Sequence, residues 1–271
     1  MDLTDGSGDL VPGYRALAIG AAASGAAPRV LLLHGFTGCA ADWSRLGIAT
    51  PALALDLPGH GGSPAPEAAE HCFDAEVRRL LAALPASIDQ VAGYSLGGRL
   101  ALGLLRLAPR RFRQATILSA HPGLTGTTER ARRRDMDQRW IRRLRRDGIE
   151  AFVRAWEELP LFATQAGVPP PRLAAQRAWR LAQSPEGLAR SLECFGLGQM
   201  PPAWDALRAW PGRLRWISGR LDPKFTAIAR RIARLRPATE LFVLPDAGHN
   251  LLLEAPVQTA ALIDAVGAAA E

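Results

Sequence analysis

Lysine is almost missing from these 271 residues: Lys224 is the sole lysine among 33 basic side chains, and the rest are arginine. The net charge is +7, which raises the question of a polyanionic partner. The densest tract, RARRRDMDQRWIRRLRRDG (130–148), is interrupted by Asp135, Asp137 and Asp147, as on a solvated amphipathic helix face. No known nucleic-acid-binding motif accompanies it. The arginine bias beside heavy alanine use reads as codon composition, and a small anionic substrate is the expected use of the excess charge. Nucleic acid is set aside as a partner.

Cysteine is scarce too. Cys39, Cys72 and Cys194 are odd in number, far apart and without metal-ligand spacing, so neither disulfides nor zinc are expected. No apolar run approaches the roughly 18–20 residues of a membrane span. The opening MDLTDGSGDL lacks the basic and apolar regions of a signal peptide. These absences point to a cytoplasmic protein, with a monomer favoured and no membrane partner. Apolar content of 48% with 22% charged residues fits a sizeable globular core.

Short apolar runs are present in abundance, at 29–33, 52–55, 89–94, 114–119, 214–218 and 239–244. Helical patterns follow most of them, at about 74–84, 97–108, 224–236 and 256–269. Strands alternating with helices predict a mostly parallel sheet covered on both faces. Strand signals stop between 124 and 205, a stretch of short helices rich in Arg, Trp and Pro. The expected organisation is a core of residues 1–123 and 206–271 with an inserted helical cap at 124–205.

Gly93-Tyr94-Ser95-Leu96-Gly97 fits G-x-S-x-G between a strand and a helix. Glycine at 93 and 97 relieves a turn too tight for side chains. Such a serine needs a base, and the base needs an orienting acid. His249, in PDAGHN after the last strand, is the candidate base; Asp222, in GRLDPKF, is the candidate acid or else a helix N-cap. His34 and His60 fall in glycine-rich loops as structural or wall residues, and His71 in a polar loop. The order Ser, Asp, His is that of an α/β-hydrolase fold. Backbone N–H groups of Leu96 and Phe36, the latter in LLLHGFTG, are the expected oxyanion-hole donors. The loop DLPGHGGS (56–63) is expected to line the pocket without joining in the chemistry.

Arg99 stands one turn past the serine, where an unpaired buried charge is costly. Either it points outward, or it meets a carboxylate, the group that guanidinium pairs with bidentately.

VLLLHGFTG, LDLPGHGGS, GYSLGGR, HPGL followed by ERARRRDMDQRW, WEELPLFA, GRLDPKF and DAGHN together resemble the MenH family over residues 28–256. Those enzymes are lyases of menaquinone biosynthesis that make 2-succinyl-6-hydroxy-2,4-cyclohexadiene-1-carboxylate. They eliminate pyruvate from 2-succinyl-5-enolpyruvyl-6-hydroxy-3-cyclohexene-1-carboxylate, with neither metal nor organic cofactor. The resemblance implies that Ser95, Asp222 and His249 form the catalytic triad, the serine serving as a base. It further implies that Tyr94, Arg99, Arg133, Trp156 and Arg177 contact a small tricarboxylate substrate, with Arg180 the rival to Arg177. Arg133 also reads as a surface charge, and Trp156 as a core aromatic. The alternative activity is a serine hydrolase, a carboxylesterase or C–C bond hydrolase, acting on a carboxylate-bearing substrate.

Overall fold

In the computed structural model, which describes residues 10–67 and 72–265, seven strands share one sheet. They are β1 (Ala16–Ile19), β2 (Val30–Leu33), β3 (Ala52–Leu55), β4 (Gln90–Tyr94), β5 (Gln114–Leu118), β6 (Arg213–Gly219) and β7 (Glu240–Leu244). The order across the sheet is β1-β3-β2-β4-β5-β6-β7. Only β1 runs antiparallel, against β3. β2 and β3 read VLLL and ALAL and are buried throughout, as parallel strands covered on both faces must be. The six expected strands all form. β1 has no counterpart among them: its ALAI is as apolar as the ALAL of β3, but it forms the antiparallel edge of the sheet with Leu17 exposed.

The α-helices among the described residues are α1 (Ala41–Ser44), α2 (Cys72–Ala83), α3 (Leu96–Leu107), α4 (Thr127–Glu157), α5 (Pro170–Leu181), α6 (Pro185–Phe195), α7 (Trp204–Ala209), α8 (Pro223–Leu235), α9 (Leu251–Glu254) and α10 (Pro256–Asp264). The last expected helix reaches 269, and 266–269 lie outside the described residues, as do His71 and 1–9. None of the described helices is long and apolar enough to cross a membrane.

Two apolar clusters flank the sheet. Leu31, Leu33, Val91 and Phe112 pack with α2 and α3 on one side; Val30, Leu32, Trp43 and Ile217 pack with α9 and α10 on the other. Between β5 and β6 the chain adds α4 to α7 and a third cluster, built from Ile141, Leu144, Phe152, Val153, Leu188 and Leu192. Gly148, at φ 77°, divides α4 into two segments. Gln183 ties this region to the core: its Nε2–H donates to the Gly38 carbonyl at 3.2 Å, and its Oε1 accepts from Gly61 N–H at 2.8 Å.

Cys72 and Cys194 form a disulfide, with Cα atoms 5.2 Å apart and a sequence separation of 122. This corrects the expectation of unpaired cysteines. Distance along the chain does not measure distance in the fold, and the start of α2 meets the end of α6. Cys39 is free.

Candidate active site

In the sheet, β2 sits between β3 and β4, so chain order reverses there and the loops leaving β2 and β4 diverge to open a crevice. Ser95 occupies the turn after β4 at φ 51°, ψ −103°, a strained conformation for a non-glycine residue. A Cβ on Gly93 would lie 2.4 Å from the Gly97 carbonyl oxygen, and one on Gly97 would lie 2.1 Å from that of Leu33. The two glycines therefore let the turn close on itself and on the end of β2.

Asp222 does two jobs. Its Oδ1 accepts from Phe225 N–H at 3.2 Å, capping α8, while Oδ2 accepts from His249 Nδ1–H at 2.8 Å. That bond fixes the tautomer, so His249 Nε2 is left to accept from the Ser95 hydroxyl at 3.1 Å. Asp222 and His249 are both buried. Glu254 braces the histidine from behind, accepting from the backbone N–H groups on either side of it, Gly248 at 2.8 Å and Asn250 at 3.0 Å. Neither Phe36 nor Leu96 donates its N–H to a backbone acceptor among the described residues.

Two neutral imidazoles hold the loop that carries Phe36. His34 Nε2 accepts from Leu57 N–H at 2.9 Å, and His60 Nε2 accepts from Thr37 N–H at 3.2 Å. Burial pushes their pKa values down to about 4 and about 3. The loop 56–63 does not wall the cavity as expected. It is a brace: besides His60, Asp56 takes the N–H groups of Ala40 at 2.7 Å and Gly62 at 2.8 Å.

Ser95 and His249 open into a cavity of about 330 Å³. Six cationic side chains wall it, Arg45, Arg99, Arg133, Arg172, Arg180 and Lys224, against one carboxylate, Asp42. Arg99 points inward. It is buried and its Nη1–H donates to the Phe195 carbonyl. Burial, with Arg133 adding to it and Asp137 opposing, pulls its pKa down to about 9, so it stays cationic at neutral pH. Arg133 lines the cavity and donates Nε–H to Asp137 Oδ1 at 2.9 Å. Tyr94 also lines it. Trp156 fits both of its readings, since it walls the cavity and stacks at 5.5 Å on Phe152 in the cap's aromatic cluster.

Arg177 is the exception. It pairs with Glu157, is half exposed and lies off the cavity wall. Arg180, nearly fully buried, takes its place and shares Glu157 at 3.1 Å. The reason is helical phase. Arg172, Gln176, Trp179 and Arg180 form one stripe of α5 over the cavity, and position 177 lies well round the helix from it. That periodicity was available in the sequence, as a face rather than as a motif. Lys224, Arg45 and Asp42 carry no such signal. Burial raises Asp42 to about 6, with the Cys39 N–H and the charges of Arg180 and Arg45 opposing.

A parallel sheet with a serine on the strand-to-helix turn, and an acid and a histidine after later strands, defines the class. The chain belongs to the α/β hydrolase family, whose profile matches residues 30–262. Its relatives are more particular. A 2-succinyl-6-hydroxy-2,4-cyclohexadiene-1-carboxylate synthase from Enterobacter sp. (strain 638) is 34% identical over 243 residues, covering 87% of this chain and 90% of its own. A Bacillus subtilis (strain 168) protein provisionally given the same name is 32% identical over 241 residues, covering 85% and 87%. The solved structure of MenH from S. aureus matches with a TM-score of 0.81 at 27% identity, over 93% of this chain and 96% of that one. The resemblance to MenH drawn from the motifs is borne out.

Proposed function

We propose that this chain eliminates pyruvate from 2-succinyl-5-enolpyruvyl-6-hydroxy-3-cyclohexene-1-carboxylate, giving 2-succinyl-6-hydroxy-2,4-cyclohexadiene-1-carboxylate, the menaquinone-pathway step for which its relatives are named. The observation that carries this reading is the cavity's charge: six cations and one carboxylate beside a hydrogen-bonded serine and histidine. An ester hydrolase has little use for that excess; a tricarboxylate needs it.

In this reading His249 draws the proton from Ser95 Oγ, and the serine oxygen removes the ring proton alpha to the succinyl ketone. Electrons move to the ketone oxygen, where Phe36 and Leu96 N–H groups meet the developing charge. The dienolate then collapses, breaking the C–O bond to the enolpyruvyl group, which leaves and takes a proton to become pyruvate. Arg99, Arg133 and Arg180 hold the carboxylates and so lower the entropic part of the barrier. Residues 124–205 act as the lid that supplies two of those arginines.

The test supplies the condensation product of isochorismate and 2-oxoglutarate and follows pyruvate release. Release should exceed the spontaneous rate, and Ser95→Ala should lower it by about 10²–10⁴-fold, the range for a positioned base. No release above background, with rapid turnover of p-nitrophenyl esters, would establish the hydrolase alternative instead.

A further inference from the structure

The sole lysine of the chain sits in the cavity wall. In a sequence that writes every other Lys/Arg position as arginine, this one position carries an ammonium. Its place in the helix is unfavourable: Lys224 lies in the first turn of α8, where the macrodipole repels cations. Asp222 caps that terminus, but Lys224 itself has no ion pair among the described residues. Its ammonium lies 5.5 Å from the centre of the Phe225 ring, and that ring lies 4.5 Å from the His249 ring.

Its surroundings show what it faces. His121 lines the same cavity, and the charges of Lys224, Arg99 and Arg133 all bear on it; burial and those cations pull its pKa down to about 4. Its Nδ1 accepts from Gly123 N–H at 3.0 Å, so the neutral ring carries its proton on Nε2. Lys224, Arg99, Arg133 and the neutral N–H donor of His121 thus line one cavity, with Arg231 adding its charge to theirs. Arg45 and Arg180 have Asp42 to balance them, and Arg133 and Arg99 have Asp137, which leaves Lys224 lining the cavity with no ion pair among the described residues.

From this arrangement we infer that Lys224 is a substrate-binding residue, the third cation of a carboxylate subsite that Arg99 and Arg133 form around His121. The inference rests on the pyruvate-eliminating reading of the cavity. A compact ammonium on a flexible stem reaches a carboxylate already held by planar guanidinium groups, where a third guanidinium would crowd them.

The test compares wild type with Lys224→Met and Lys224→Arg. For the tricarboxylate substrate, Lys224→Met should raise KM roughly three- to tenfold, the range of a partly solvated ion pair, with kcat within about threefold. The melting temperature should hold or rise because a cation leaves a helix N-terminus. Lys224→Arg should recover only part of the loss. An unchanged KM in Lys224→Met would overturn the inference, and full recovery by arginine would overturn the claim that a third guanidinium crowds the subsite. Binding of tricarballylate, followed by tryptophan fluorescence, separates the two claims. Wild type that binds it but releases no pyruvate sinks the proposed reaction alone, and Lys224→Met that binds it as tightly as wild type sinks the lysine subsite alone.

Discussion

Arg99 is buried, and among the described residues its side chain has one hydrogen-bond partner, the Phe195 carbonyl. A guanidinium has five N–H donors, so most of its capacity is free to face the cavity. Replacing it with alanine removes a charge-assisted contact worth about 1.5–3 kcal/mol, and Arg99→Ala should raise KM for the tricarboxylate by roughly 10- to 100-fold. Turnover of a neutral ester should stay within a factor of three; equal losses on both substrates would mean that Arg99 holds α3 and α6 together instead. Residues of this kind were legible because their chemistry demands one residue type. Ser95, Asp222, His249, Arg99 and Arg133 could each be named from a motif, and the structure gathers all five around one cavity. Glu254 was not legible. It acts on backbone N–H groups, and any acid at that spacing is equally a surface charge. Arg177 fails because a resemblance registers positions along the chain, whereas the cavity selects a face of α5.

At the scale of elements, continuous apolar runs announced β2 to β7, and the elbow announced where α3 starts. The loop 56–63 misled because glycine-rich loops at strand ends can wall a pocket or brace one, and composition does not choose between them. The cysteines misled for a related reason: helix-to-helix contacts across the cap are invisible until the cap is folded. The disulfide they make joins α2 to α6 and closes a loop spanning 122 residues. In the chain-entropy account a loop of that length is worth about 4–5 kcal/mol, by constraining the unfolded chain. Reduction with dithiothreitol should lower the melting temperature by roughly 10 °C, at 2–4 °C per kcal/mol for a chain of this size. Cys72→Ala/Cys194→Ala should melt at the reduced temperature and ignore the reductant. Identical melting with and without dithiothreitol would show that the two sulfurs are not bonded in solution.

The whole molecule keeps three histidines neutral inside a cationic protein. His34, His60 and His121 have folded pKa values of about 4, about 3 and about 4, against 6.5 unfolded. Between those limits the unfolded chain binds more protons than the folded one, so stability is complete above pH 6.5 and falls as the pH drops towards 4. Asp42 works in the opposite sense: its folded pKa of about 6 lies above the usual 3.8, so acid relieves a buried charge there. Three histidines outweigh that single carboxyl. Lowering the pH from 7 to 5 should cost on the order of 2 kcal/mol for each fully buried histidine, at about 1.4 kcal/mol per unit of separation. The melting temperature should therefore begin to fall near pH 6.5, above the range where ordinary carboxylates titrate. His60→Gln, which cannot take up a proton, should melt lower at pH 7 yet lose less between pH 7 and pH 5. A flat profile through that interval would mean that water reaches these rings, and that the loop carrying Phe36 is not held by the neutral pair.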